Sequence, residues 1–84
     1  MYGVEFSKIA EKQIYKLDKT TQTRIISTIE RARIRPHTHI KKLVGSPYFA
    51  LRSGEYRIII DLKEEILLIF VIKLGHRKNI YKNL

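Results

Sequence analysis

The stretch Ile66-Leu67-Leu68-Ile69-Phe70-Val71-Ile72 is apolar at every position. It is far too short to span a bilayer as a helix, and it lacks the polar alternation of a half-exposed strand. It therefore predicts a strand buried on both faces, at the centre of a sheet. Such a strand needs helices over one side and further chain over the other. The chain has only 84 residues. A chain of that size buries about two-thirds of its unfolded surface, so the expectation is a single domain over residues 1–84.

The N-terminal half supplies the helices. Val4 and Phe6 alternate with Gly3 and Glu5, which predicts a short strand over 2–6. Ser7 can cap a helix, since its hydroxyl can accept a free N–H of the first turn. Ile9, Ala10, Gln13, Ile14 and Leu17 follow at near-helical spacing. Asp18 is a second cap candidate, and Ile25, Ile26, Ile29 and Ala32 continue a stripe. Arg35-Pro36 should end it, because the residue before proline avoids the α region. Residues 37–47 show no period and are expected as a connector.

The C-terminal half supplies the sheet. Strands are expected over 48–52 and 56–62, joined at Gly54-Glu55 by a type II′ turn, which takes glycine first. That turn sets Ser53 opposite Tyr56 and Arg52 opposite Arg57. Like charges directly opposite repel, a strain that splaying into solvent or a bound anion would relieve. Ile58, Ile60 and Leu62 should share one face, with Arg57, Ile59 and Asp61 on the other. Lys63-Glu64 is expected as a second tight turn before the apolar run. The order β-α-α-β-β-β implies an α+β fold, a mostly antiparallel sheet with two helices packed against it.

Charge narrows the partners. Seventeen Lys and Arg against eight Asp and Glu give a net charge of +9. That points to polyanions such as RNA, DNA, a ribosome surface or an acidic protein. Arg31, Arg33, Arg35, Lys41 and Lys42 fall in a segment without an acid. They suit a solvated helix end first and a polyanion contact second. The absence of cysteine removes disulfides, thiolate metal sites and cysteine nucleophiles. His37 and His39 lack a partnered carboxylate motif, so no metal is expected. No nucleophile elbow or phosphate-cradling glycine loop is present. No apolar run reaches membrane-spanning length and the first residues lack a signal layout, so a cytoplasmic location without membrane contact is expected.

Metal-free chemistry on RNA remains, since RNA carries its own nucleophile in the 2′-hydroxyl. A site need only align it, take its proton, neutralise the phosphorane and protonate the leaving oxygen. Arg, Lys, His and Tyr suffice, and no cofactor is required. After Ile72 the chain changes abruptly to Lys73-Leu74-Gly75-His76-Arg77-Lys78-Asn79-Ile80-Tyr81-Lys82, with four fixed cations and no acid.

Two segments carry a resemblance. Leu51-Arg52-Ser53-Gly54-Glu55-Tyr56-Arg57-Ile58-Ile59 resembles an L-R-x-G-x-Y-R-I-I-Y hairpin. Phe70 to Tyr81, with Gly75-His76-Arg77 and Tyr81, resembles a V-x-x-V-G-H-R-x-x-V-Y tail. Together they resemble the RelE branch of the RelE/ParE toxin superfamily. Lys42-Leu43-Val44-Gly45 and the order of elements extend the likeness over the whole chain.

The resemblance implies a ribosome-dependent mRNA endonuclease. Such a toxin cleaves the A-site codon by 2′-hydroxyl attack and is neutralised by a cognate antitoxin in a heteromeric complex. It implies catalytic roles for Arg57, which stabilises the phosphorane, for Arg77 at the scissile phosphate, and for Tyr81 at the base or the proton. Arg52, Lys41, Lys42, His76 and Lys78 read as RNA-binding residues. Where some relatives place strand lysines, this chain has Tyr48 and Ala50, so the general base is unassigned. His76 is the tail residue with a suitable ordinary pKa, but alternation with Arg77 can turn it towards the core. A ParE-like DNA gyrase inhibitor and a non-catalytic RNA- or antitoxin-binding module are the alternatives on the same fold.

Overall fold

The structure, a computed structural model, describes residues 1–81. Its elements are β1 (Gly3–Phe6), α1 (Lys8–Tyr15), α2 (Lys19–Ala32), β2 (Lys41–Lys42), β3 (Phe49–Ser53), β4 (Tyr56–Lys63) and β5 (Leu68–His76). The five strands form one sheet in the order β1-β5-β4-β3-β2. The architecture is the expected α+β. The sheet is mixed, because β1 runs parallel to β5 while the other neighbours are antiparallel.

Both helices start where expected. Ser7 Oγ accepts the Ala10 N–H at 3.0 Å and Asp18 Oδ2 accepts that of Thr21 at 3.2 Å. Gln22 Nε2 donates to the carbonyls of Ile14 and Leu17 at 2.9 and 3.0 Å, satisfying the end of α1. The apolar stripe is narrower than the spacing predicts. Ala10, Ile14, Ile25, Ile29 and Ala32 are buried, whereas Ile9 and Ile26 are exposed. The buried set packs on Leu51, Ile58, Ile60, Ile69, Val71 and Leu74 of the sheet. Each isoleucine, leucine or valine among them contributes about 1.5–3 kcal/mol relative to exposure.

The hairpin register matches the expectation: Arg52 pairs with Arg57 and Ser53 with Tyr56. Gly54 takes the positive φ of 58° that the turn requires. Ile58 and Ile60 face the helices, while Ile59 joins Ala50 and Ile80 in a small cluster on the opposite face.

Three expectations need correction. Lys41 and Lys42 are not connector but a short edge strand, paired with Ala50 and Phe49. The tight turn at Lys63-Glu64 is instead a 3₁₀ turn over Glu64–Ile66, closed by Leu67 at φ 50°. The longer loop sets Ile69 opposite Leu62, where a two-residue turn would have placed Glu65 in the core row. The last strand consequently runs over 68–76 rather than 66–72. Nor is it equally buried on both faces. Ile69, Val71 and Leu74 are buried against the helices, while Leu68, Phe70 and Ile72 are half-buried. Leu43, Tyr48, Ala50, Ile59 and Ile80 cover the second face only near Ile72.

A β-bulge decides which residues reach that second face. Ile60 pairs with Val71 but Ile59 with Lys73, so Ile72 is the extra residue. The insertion keeps Leu74 in the core row and sets Gly75, rather than Leu74, opposite Arg57. Past Val71 the β1 side of β5 has no strand partner among the described residues. Ser7 N donates to the Val71 carbonyl at 2.9 Å and Ser7 Oγ to that of Ile72 at 2.6 Å. The Leu74 N–H donates to Gln13 Oε1 at 2.7 Å. The first turns of α1 thus satisfy the backbone groups that β1 leaves open.

Candidate active site

The helix-free face carries a cleft of about 280 Å³ lined by His39, Lys41, Ala50, Leu51, Arg52, Arg57 and Tyr81. Among the described residues, no carboxylate lines it.

Each side chain has a local reason to be there. Arg52 and Arg57 are the directly opposed pair next to the Gly54 turn. Arg57 Nη1 donates to the carbonyls of Gly54 and Tyr56 at 3.0 and 3.1 Å. That anchors one corner of the guanidinium and leaves its Nε and Nη2 uncommitted among the described residues. Asp61, two positions along the same face, pairs instead with Lys63 at 3.3 Å. Lys41 stands directly opposite Ala50 in the β2–β3 ladder and so shares its face. Ile40 packs against the helix-side core. His39, where the 3₁₀ turn over Pro36–Thr38 ends, lines the cleft beside Lys41.

Tyr81 arrives by a different route. After β5 the chain turns back, with the N–H groups of Asn79 and Ile80 donating to the His76 carbonyl at 2.9 and 3.0 Å. Ile80 is buried in the second cluster beside Ala50 and Ile59, and Tyr81, next along, reaches the cleft rim about half-exposed.

The structure thus brings together Lys41, Arg52, Arg57 and Tyr81 of the residues expected from sequence, and leaves four aside. Arg77 sits on the β3–β4 turn, where its Nε pairs with Glu55 Oε2 at 2.7 Å and its N–H donates to the Glu55 carbonyl at 2.8 Å. His76 lies on the helix side, edge-on to Tyr56 at 5.8 Å between centroids, and its Nδ1 accepts the Lys78 N–H at 3.1 Å. Lys78 is exposed on the turn. Lys42 faces the helix side, its Nζ 5.2 Å from the Phe49 ring centroid and donating to the Ser46 carbonyl at 2.7 Å. Sequence reasoning missed His39. No spacing in the sequence signals it, because His39 ends a 3₁₀ turn and does not alternate within a strand.

Chemically, the cleft is a concentration of positive charge with a phenol and an imidazole at its edge. An opposed arginine pair unrelieved by acid suits a dianionic or phosphodiester ligand, whose oxygens match the guanidinium fork. Among the described residues no cluster of potential metal ligands occurs, and no helix is long and apolar enough to cross a membrane.

Comparison with known proteins gives a consistent placement. A family model described as the ParE toxin of type II toxin–antitoxin systems, parDE, matches residues 4–81. No curated protein sequence matches the chain. The RelBE2 toxin–antitoxin complex of Mycobacterium tuberculosis shares the fold, with a TM-score of 0.83 at 22% identity over 90% of this chain and 98% of that one. The intact E. coli RelBE complex gives 0.77 at 27% identity, covering 90% and 96%. The RelB–RelE complex of Methanococcus jannaschii gives 0.71 at 27%, covering 94% and 96%.

Proposed function

The chain belongs to the ParE toxin family of type II toxin–antitoxin systems, and from that premise we propose that it is a RelE-branch toxin that cleaves mRNA in the ribosomal A site. The observation that carries the reading is the cleft itself: Arg52 and Arg57 opposed, Lys41 and Tyr81 beside them, and no acid among the described lining residues.

The reaction is metal-free transesterification. Arg57, tethered by its turn, offers its free edge to the non-bridging oxygens of the scissile phosphate, and Arg52 closes from the opposite strand. Their charge matters most when the phosphorane gains negative charge, so they stabilise the transition state above the ground state. Lys41, opposite Ala50, supplies from β2 a cation that relatives carry on the adjacent strand. Tyr81 orients the nucleotide or passes a proton. Arg77 joins them if substrate draws it off Glu55. The half-buried strip at Leu68, Phe70 and Ile72 and the +9 charge suit an antitoxin whose segments bring apolar side chains and acids. The similar RelBE structures are toxin–antitoxin complexes.

The test is translation in vitro followed by primer extension on the message, with and without ribosomes. Codon-registered cleavage that needs ribosomes and falls at least about a hundredfold in Arg57→Ala supports the reading. The family's ParE description favours a second reading, inhibition of DNA gyrase. Intact message together with blocked supercoiling by purified gyrase would select that reading instead. Intact message and active gyrase would leave a binding module.

A further inference from the structure

We propose that His39 is the proton acceptor of the cleft, a role that rests on the RNA-cleavage reading above. No carboxylate lines the cleft among the described residues, so its proton acceptor is to be sought among the other side chains there. Of the three histidines, His37 is held by Glu64, Nε2 to Oε1 at 2.6 Å. His76 lies on the other face of the sheet with Nδ1 engaged. His39 lines the cleft and has no side-chain hydrogen-bond partner among the described residues.

The groups facing it are Lys41 from β2, Arg52 from β3, Arg57 from β4 and Tyr81 from the tail. Lysine, arginine and phenol side chains ordinarily hold their protons at neutral pH, whereas imidazole exchanges one there. The backbone that carries His39 is fixed on both sides. Its own N–H and that of Ile40 donate to the Pro36 carbonyl at 2.9 and 3.0 Å. Ile40 is packed in the core and Lys41 is paired in the sheet. The platform fixes the point from which the exposed ring reaches the cleft.

The step balances. The 2′-hydroxyl proton passes to the free ring nitrogen of His39 as O2′ bonds to phosphorus. The P–O5′ bond breaks, and the leaving 5′-oxygen takes the Tyr81 phenol proton. The products are a 2′,3′-cyclic phosphate and a 5′-hydroxyl. The imidazolium returns its proton to solvent and the phenolate recovers one, leaving the protein unchanged.

The experiment is single-turnover cleavage on programmed ribosomes by the parent, His39→Gln and His39→Ala, across pH 5.5 to 8.5. The parent rate should rise with pH through the range where imidazole ordinarily loses its proton, then level. His39→Gln should lose about 10²- to 10⁴-fold and that rise with it. Added imidazole should restore part of the His39→Ala rate, a response that a merely structural loss would not show. A His39→Gln rate within about threefold of the parent, with the same profile, overturns the assignment while leaving RNA cleavage standing. A flat parent profile overturns it without any variant. A parent that cuts no message removes both claims.

Discussion

Ile80 packs against the bare backbone of Gly75: its Cδ1 lies 3.4 Å from where a Cβ at residue 75 would sit. The bulge at Ile72 brought Gly75 to that spot opposite Arg57, so the glycine opens the seat that holds Ile80 and, through it, Tyr81. A single methyl fits at ordinary contact distance, and Gly75→Ala should leave stability and activity near the parent. Gly75→Val adds two more methyls against a packed side chain, which costs about 1–3 kcal/mol. It should also dislodge Tyr81. Thermal melts and message cleavage measured on both variants check this. A valine variant with parental cleavage would show that Ile80 does not seat Tyr81.

The opposed Arg52 and Arg57 should make the ligand-free sheet less stable than it could be. Replacing Arg52 by threonine removes the repulsion and adds a good strand former. Arg52→Thr is expected to gain about 0.2–1 kcal/mol, raising the midpoint by roughly 1–8 °C. It should also cut RNA cleavage at least about tenfold, the usual cost of one charge-assisted contact. Phosphate should raise the parent's midpoint more than the variant's. A variant that melts lower than the parent would show that the pair is not in conflict.

This conflict was readable before the structure because Gly54 demands one kind of turn, and the register then follows by counting back to Arg52 and Arg57. The caps were readable for a similar reason: Ser7 and Asp18 each precede a periodic run. The apolar run was less informative. A stretch without polar residues has no phase, so neither its bulge nor the start of β5 could be placed. Gly75 therefore could not be set opposite Arg57, nor His76 turned towards Tyr56. Lys41 and Lys42 form a strand only because β3 has an open edge, which two lysines alone do not announce. His39 was hidden because it ends a short 3₁₀ turn, which leaves no periodic mark in the sequence.

Arg77 is held outside the cleft by Glu55. Both side chains are about half-exposed, and such pairs contribute about 0.2–1 kcal/mol. The contact is weak enough for a phosphate to outbid the carboxylate. Glu55→Gln should therefore cost less than about 1 kcal/mol in melts and leave cleavage equal to or above the parent's. Arg77→Ala should lose cleavage with an equally small change in stability. If Glu55→Gln instead cuts activity, the ion pair is part of the working geometry and not a resting position.

Acid stability should carry a signature of Asp18. Its carboxyl is held below the ordinary 3.8, first by the Thr21 hydroxyl and then by the Thr21 N–H. With the folded pKa below the unfolded one, its stabilisation is complete above the unfolded value and is lost as pH falls through the folded one. Asp18→Asn keeps an N-cap acceptor but cannot ionise. The stability difference between parent and variant should be constant near neutrality and shrink below about pH 4. Urea melts from pH 7 down to 2.5 would measure it, and a constant difference would mean that the charge of Asp18 does not matter to folding.

Ser7 holds two elements with one hydroxyl. Its oxygen accepts the Ala10 N–H as the cap of α1, and its hydrogen goes to the Ile72 carbonyl at the bulge. Ser7→Ala removes both. Loss of the cap costs about 1 kcal/mol, and a part-buried carbonyl left without a partner adds about 1–3 kcal/mol. Ser7→Asp separates the two roles. An aspartate caps as well as serine does, but when ionised it only accepts hydrogen bonds and so sets a negative oxygen against the Ile72 carbonyl. If the cap alone matters, Ser7→Asp should be as stable as the parent. If the bulge carbonyl matters, it should be destabilised like Ser7→Ala, and the bulge should loosen with it. The second result is expected, because the Ser7 hydroxyl donates to that carbonyl at 2.6 Å. Amide exchange at Lys73 and Leu74 would show the loosening directly, and cleavage should fall in parallel as Gly75 and Ile80 lose their register with Arg57.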